Sequence, residues 1–345
     1  MILLIVVGMG LLILGADLFV DGASGIAEKL RVSAFVIGMT IVAFGTSAPE
    51  LAVSVKSMIS GNGDIAMGNA IGSNIMNILL ILGISSIIRR LPVEKKTMII
   101  EVPFLIAVSV VLLLVSEVGG ALAITRLEGG LLVLLLAVYV AYMVIGAVRE
   151  RKLLRGSVND TAEYVAPPPV AVTQASTAKK ITDKPTGTYA KLKSKIWFLI
   201  IITVVGLMLV VLGAQLVVDN VDMLTAMMPE GNAKKIISVT VVALGTSLPE
   251  LVTSVTAAVK GNMGLALGNI IGSNILNILL ILGLPALIFS ATYTTSYLID
   301  MIFAIGSAAL LLACVGIGKG KAINRAGGIL MLTCLCGYLV YLFLS

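Results

Sequence analysis

An all-α polytopic membrane protein, with ten transmembrane helices arranged as two inverted-topology repeats of five, is the fold class this sequence predicts. Three observations predict it: apolar segments of spanning length, a long internal repeat, and basic residues gathered on alternate loops. The 345-residue chain is 59% hydrophobic and only 12% charged, with a mean hydropathy of +1.10, whereas soluble domains carry about 25% charged residues. In lipid a spanning segment must satisfy its own backbone, so runs of about 20 apolar residues read as helices.

Taken in order, such runs occupy 1–20, 33–60, 64–88, 98–115 and 128–148, then 196–218, 234–259, 263–289, 297–317 and 325–344. The first continues through Asp17 and Asp21 without a basic leader or a convincing cleavage site, so it reads as a span and not as a signal peptide. Between the halves, 149–195 carries ten Lys and Arg residues and the prolines Pro167 to Pro169. That composition predicts a basic, largely disordered linker. The chain therefore divides into a first five-helix unit at 1–148, a linker at 149–195 and a second five-helix unit at 196–345.

Of the 24 Lys and Arg residues, 20 share one side if the N-terminus is outside, among them Lys29, Arg89, Lys96, the linker set, Lys260 and Arg325. Basic loops stay cytoplasmic, so both termini are expected outside and the linker inside a cell membrane crossed many times. The net charge of +6 then reflects topology and not nucleic-acid binding, and no protein partner is implied. The chain has no His, which removes the usual imidazole ligand and near-neutral proton carrier. Cys314, Cys334 and Cys336 define no metal spacing and read as packing residues.

Sliding 37–88 over 237–288 gives roughly 30 identities in 52 positions without a gap, far beyond shared hydrophobicity. Weaker likeness joins Leu14, Gly15 and Ala16 to Leu212, Gly213 and Ala214. An odd number of spans per unit makes the second unit enter from the opposite side, which predicts a central site between the two.

Two motifs recur inside the repeat. Gly45-Thr46-Ser47-Ala48-Pro49-Glu50 is matched by Gly245-Thr246-Ser247-Leu248-Pro249-Glu250, and each places an acid in an apolar run. A charge at that depth costs about 2.5–3.5 kcal/mol, so two in matched surroundings call for a cation. The proline removes a backbone donor and should break the helix, freeing carbonyls near Ala43 and Ala243. On the next turn Thr46 and Glu50 share a face with Ser47 beside them, as do Thr246, Ser247 and Glu250. In the following spans Ser73 with Asn77, and Ser273 with Asn277, share a face at i, i+4.

This donor set is all oxygen: two carboxylates, six hydroxyls, two amide carbonyls and two backbone carbonyls. Calcium takes about 6–8 oxygens, and two carboxylates balance one divalent or two monovalent ions. Kinking alone would account for the Gly, Thr, Ser and Pro residues but leaves Glu50 and Glu250 unexplained. Asn74 and Asn274 lie off the Ser/Asn face and are assigned to helix–helix hydrogen bonding. Gly68, Gly72, Gly268 and Gly272 are assigned to close helix packing. Asp17, Asp21, Glu101, Asp219, Asp222 and Asp300 fall near span ends, where anchoring or loop capping is expected.

At these motifs the chain resembles the sodium/calcium exchangers of the calcium:cation antiporter superfamily, prokaryotic type, over most of its length. The resemblance implies Na+/Ca2+ antiport by alternating access with no cofactor. It also implies ion contacts at Ala43, Thr46, Ser47, Glu50, Ser73 and Asn77, and at Ala243, Thr246, Ser247, Glu250, Ser273 and Asn277. The first and sixth helices are then expected to slide across the core, and three sodium ions to exchange for one calcium ion. Potassium-dependent members, and some others, carry Asp where this chain has Asn277, so the resemblance implies potassium independence. Proton-coupled calcium antiport and a cation channel are the rival readings. An intramembrane hydrolase built on Ser47 or Ser247 lacks a His base and a nearby Lys.

Overall fold

A computed structural model of the chain describes residues 1–117, 123–160, 195–226, 245–293, 297–317 and 321–344. Eleven described helical segments make up the frame. In the first half they are α1 (Ile2–Leu30), α2 (Ala34–Thr46), α3 (Ala48–Ile59), α4 (Gly63–Ile88), α5 (Thr97–Ser116) and α6 (Arg126–Asp160). In the second they are α7 (Ile196–Ala226), α8 (Leu248–Val259), α9 (Met263–Phe289), α10 (Leu298–Ile317) and α11 (Arg325–Leu344). Eight of them are long and apolar enough to cross a membrane, or nine spans when α2 and α3 count as one broken helix. The chain is thus an all-helical, multi-pass membrane protein. Of the predicted span 234–259, only the part from Gly245 onward is described.

Two helices outrun their predicted ends. α1 continues ten residues past position 20 and stops at Arg31, whose left-handed φ of 55° returns its N–H to Ala27 and Glu28. The added turns carry Asp21, Glu28 and Lys29, which ended the apolar run without ending the helix. α6 runs to Asp160, past the predicted end at 148, and 161–194 lies outside the described residues.

Burial separates the centre from the rim. α4 and α9 bury 72% and 83% of their most apolar stretch, against 28% for α1 and 17% for the span within α6. The repeat-bearing helices therefore form the interior, and α1 and α6 turn most of their surface toward lipid. Two short ladders tie loops of one half to loops of the other. β1 (Leu91–Pro92) pairs antiparallel with β4 (Ala322–Ile323), and β2 (Ala123–Ile124) with β3 (Ala291–Thr292).

α1 and α7 cross backbone to backbone at Gly15 and Gly206. A Cβ on Gly206 would sit 2.5 Å from the Phe19 amide nitrogen, and one on Gly15 would sit 2.7 Å from that of Val210. Both obstacles are main chain, which cannot rotate aside. Gly206→Val is expected to push the pair apart at a cost of about 1–3 kcal/mol, read as a lower melting temperature of the purified protein.

Candidate cation site

The site begins where α2 stops. Ser47 leaves the helical region at φ −85°, ψ 6°, and the axis bends by 45° into α3. Pro49 falls in the first turn of α3, where its missing N–H costs nothing because first-turn donors are unpaired anyway. Glu50 follows in the same turn, facing the partial positive charge of the helix start. The second half repeats this: Ser247 at φ −85°, ψ 2°, then Pro249 and Glu250 opening α8. Two half-helices therefore begin at the site, each with a carboxylate in its first turn.

The expected freeing of the Ala43 carbonyl is corrected. The break lies one turn later than its hydrogen bond, so Ala43 O still accepts from Ser47 N at 3.0 Å. Ala243 lies outside the described residues. Wider turns occur in α2 itself, where Gly38–Val42 is π-helical just before Ala43, and one helix on, where Asn77–Leu82 and Asn277–Leu282 are π-helical in α4 and α9. The latter two each open on a candidate ligand, a placement common at functional positions. Gly83 and Gly283 close the two stretches, and Pro285 follows the second.

The halves meet through side chains. Ser47 Oγ donates to Glu250 Oε1 at 2.9 Å, and Ser247 Oγ to Ser73 Oγ at 3.1 Å. Ser47 stands three residues before Glu50, so its bond to Glu250 draws the two acids into one neighbourhood. Thr46, Ser47, Glu50, Ser73, Asn77, Ser247, Glu250, Ser273 and Asn277 are all buried, both carboxyls at 1% exposure. Thr246 is half-buried. Side-chain bonds thus join Ser47, Glu250, Ser247 and Ser73 across the boundary, while Glu50, Asn77, Ser273 and Asn277 are buried and the Ala43 carbonyl, engaged by Ser47 N, keeps a second lone pair.

Sequence reasoning missed one layer. Thr46 Oγ1 lies 3.2 Å from Asn269 Oδ1, and Thr246 Oγ1 lies 3.1 Å from Asn69 Oδ1, both within donating distance. Asn69 and Asn269 in turn donate to Ser54 and Ser254, at 3.3 and 2.9 Å. These asparagines orient the threonines across the repeat boundary. The signal was present in spacing, since Asn69 precedes Ser73 by one turn as Ser73 precedes Asn77, and Ser54 follows Glu50 by one turn.

The chemistry of the cluster lies in what remains unpaired. Glu50 Oε2, Glu250 Oε2, Asn77 Oδ1, Asn277 Oδ1 and Ser273 Oγ are buried without a protein hydrogen-bond partner. Buried polar atoms are overwhelmingly paired, and four of these five atoms can only accept. Four unmet acceptor oxygens beside one rotatable hydroxyl are complementary to a bare cation. Among the described residues no ion pair involves either glutamate, and no group of three His, Cys, Asp or Glu occurs. Hard, oxygen-seeking ions fit this set and thiophilic metals do not.

A cavity of about 780 Å³ reaches the cluster from the side of α3, α4 and α7, lined by Pro49, Asn69, Ser73, Gln215, Asp219 and Thr246. Gly68 and Gly72 also border it, and 235–243, the counterpart of the segment that packs on Gly268 and Gly272, lies outside the described residues. Gly268 and Gly272 meet α2 as expected, their Cβ positions falling on main-chain atoms of Phe35 and Met39. On the opposite side Lys260 closes the gap between α8 and α1. Its Nζ lies 2.6 Å from Asp17 Oδ1 and 2.6 Å from Asp21 Oδ1.

The boundary acids divide. Asp17 and Asp21 hold Lys260, Asp219 lines the cavity, and Asp300 accepts from Tyr338 at 2.7 Å. Glu101 departs from expectation: it is 2% exposed, beyond reach of headgroups, and accepts from Tyr142 at 2.9 Å with Lys96 at 3.5 Å. The side chain of Asp222 lies outside the described residues. Cys314, Cys334 and Cys336 are free thiols.

Known proteins resemble the chain over nearly its whole length. A family model described as sodium/calcium exchanger protein matches residues 1–145 and 198–344. The chain is 34% identical to the sodium/calcium exchanger MaX1 of Methanosarcina acetivorans, covering 99% of this chain and 98% of that protein. It is 33% identical to inner membrane protein YrbG of Escherichia coli over 88% of this chain and 87% of that one. A solved structure of the sodium-calcium exchanger NCX_Mj, soaked with zero Na+ and Ca2+, superimposes with a TM-score of 0.73. That pair is 30% identical and covers 99% of both chains.

Proposed function

Because the chain belongs to the sodium/calcium exchanger protein family, we propose that it is a secondary active antiporter that exchanges Na+ for Ca2+ at one shared site between its halves. The observation that carries this reading is the set of buried, unpaired oxygens contributed by both repeats, with Glu50 and Glu250 as the charges. An empty occluded site would bury two neighbouring negative charges, a penalty of several kcal/mol per ion. Calcium or sodium removes that penalty, so loaded states occlude and empty ones do not. Exchange follows, because the two ions compete for the same oxygens and each differentially stabilises the occluded form.

The access path supports alternating access. The cavity reaches Ser73 and Thr246 from one side while Lys260 binds α1 to α8 on the other. With the basic loops cytoplasmic, the open side is extracellular, both termini are outside and 149–195 is inside. Ten spans in two inverted sets of five are supported by the pairing of features 200 positions apart: the Ser47 and Ser247 breaks, the π turns at Asn77 and Asn277, and ladders in which β1 and β3 exchange roles. The antiparallel pair α1 and α7 is then the element that slides.

Potassium plays no part in this reading, since Asn77 and Asn277 contribute neutral oxygens and, among the described residues of the cluster, Glu50 and Glu250 are the charged groups. In proteoliposomes, calcium uptake is expected to require an opposing sodium gradient and to proceed equally with and without potassium. Calcium flux independent of the sodium gradient would identify a channel and overturn antiport. Asn277→Asp is expected to change the order of cation preference; an unchanged profile would remove the argument from the amide.

A further inference from the structure

Four asparagines close a ring across the boundary between the halves. Asn77 Nδ2 donates to Asn274 Oδ1 at 2.9 Å, and Asn277 Nδ2 donates to Asn74 Oδ1 at 3.0 Å. Asn74 Nδ2 donates to the Asn274 backbone carbonyl at 3.2 Å, and Asn274 Nδ2 to that of Asn74 at 3.1 Å. All four residues are buried, so water does not compete for these bonds.

The ring fixes which way each amide points. A backbone carbonyl only accepts, so Asn74 and Asn274 must each turn their Nδ2 toward it. Their Oδ1 atoms then face Asn277 and Asn77, where only a donor fits. Asn277 and Asn77 must answer with Nδ2, which leaves their own Oδ1 atoms directed elsewhere. Those are two of the buried oxygens without a protein partner. Amide orientation is thus passed from two main-chain carbonyls, through Asn74 and Asn274, to the oxygens of the cation cluster. Reversing any one amide would set two acceptors or two donors against each other inside the protein, where an unmatched polar pair is costly.

The geometry points to Asn74 and Asn274 as positioning residues that hold the Asn277 and Asn77 carbonyls toward the ion and specify an amide at both positions. A carboxylate at 77 or 277 would lack the hydrogen that the opposing Oδ1 accepts, so the ring limits the charge of the cage to the two glutamates. Neither residue touches the ion; both act through the amide next to them. This inference rests on the antiporter reading for the identity of the ion, and its test is kept separate from transport.

The test is a double-mutant cycle on the purified full chain, reading the calcium concentration that gives half-maximal thermal stabilisation. Asn77→Ala and Asn274→Leu are each expected to raise that concentration about tenfold. The double variant is expected to rise no more than about twofold beyond the larger single effect, because Asn274 has nothing left to orient. A purely structural Asn274 would act independently, and the effects would multiply to about 100-fold, which overturns the proposal. No change in Asn274→Leu overturns it equally. Should Asn274→Leu fail to give a monodisperse protein, Asn74→Ala in a cycle with Asn277→Ala reads the mirror half of the ring. A non-additive cycle in a protein that shows no sodium-driven uptake leaves the ring in place and removes antiport. Additive effects in an active exchanger do the reverse, and a parental chain that calcium does not stabilise removes both.

Discussion

Glu50→Gln and Glu250→Gln are each expected to lower sodium-driven calcium uptake by more than about 100-fold while the protein stays folded. Two unit charges 4 Å apart interact by about 4 kcal/mol at an effective dielectric of 20, and a divalent ion doubles that. Losing even 2.7 kcal/mol of it gives a factor of about 100. Folding survives because glutamine keeps the size and one acceptor oxygen, so Ser47 still finds the partner it has at Glu250 Oε1. In the absence of cations each variant also removes one of two adjacent buried charges, so its ion-free melting temperature is expected to match or exceed that of the parent. Uptake in reconstituted vesicles checks the first statement and calorimetry the second. Parental transport rates in both single variants would dissolve the site.

Much of this arrangement was legible because the chain states it twice. The glutamates stood out as charges in apolar runs, and the 200-residue offset showed that their neighbours Thr46, Ser47, Ser73 and Asn77 had counterparts. What stayed hidden follows from physics that one strand of sequence does not display. The Ala43 carbonyl was expected to be free because Pro49 breaks the helix, but the break falls at Ser47, and Ser47 N still reaches Ala43 O. Asn69 and Asn269 were passed over because their partners lie in the opposite half, at Thr246 and Thr46. Asn74 and Asn274 do bond between helices as their off-face position suggested, yet their closure on Asn277 and Asn77 appears only when both helices are packed together. Glu101 was placed at a water-accessible span end, and the folded chain instead covers it beneath Tyr142 and Lys96.

Lys260→Met, which keeps most of the stem and removes the ammonium, is expected to release the closed side of the protein. The side chain bridges α8 to α1 through three contacts, the carboxylates of Asp17 and Asp21 and the Asp17 backbone carbonyl at 2.9 Å. Position 60, its counterpart in the first half, is a serine, so the repeat does not supply the same ammonium at the other end of the site. An exposed ion pair contributes about 0.2–1 kcal/mol. Two carboxylates converging on one partly buried ammonium sum to about 1–2 kcal/mol, which is roughly a 5–30-fold change in the balance of two states. Burial by itself would push the lysine pKa down, but Asp17 and Asp21 outweigh it and hold the pKa above its ordinary value of 10.5. A raised pKa means that the ammonium's contribution is complete below the ordinary value and fades only as pH climbs past the raised one. The clamp is therefore expected to stay closed through neutral and mildly alkaline pH. Thr253 lies one turn from Glu250 and is 0% exposed, so a cysteine placed there reports opening from the Lys260 side. With Cys314, Cys334 and Cys336 first replaced, Thr253→Cys is expected to react several-fold faster with a membrane-impermeant maleimide supplied from the Lys260 side when Lys260→Met is added. Equal reaction rates would show that α1 and α8 are joined by packing alone, through Phe19, Ala23 and Ala257 of their shared apolar cluster, and that the lysine sets no barrier to inward opening.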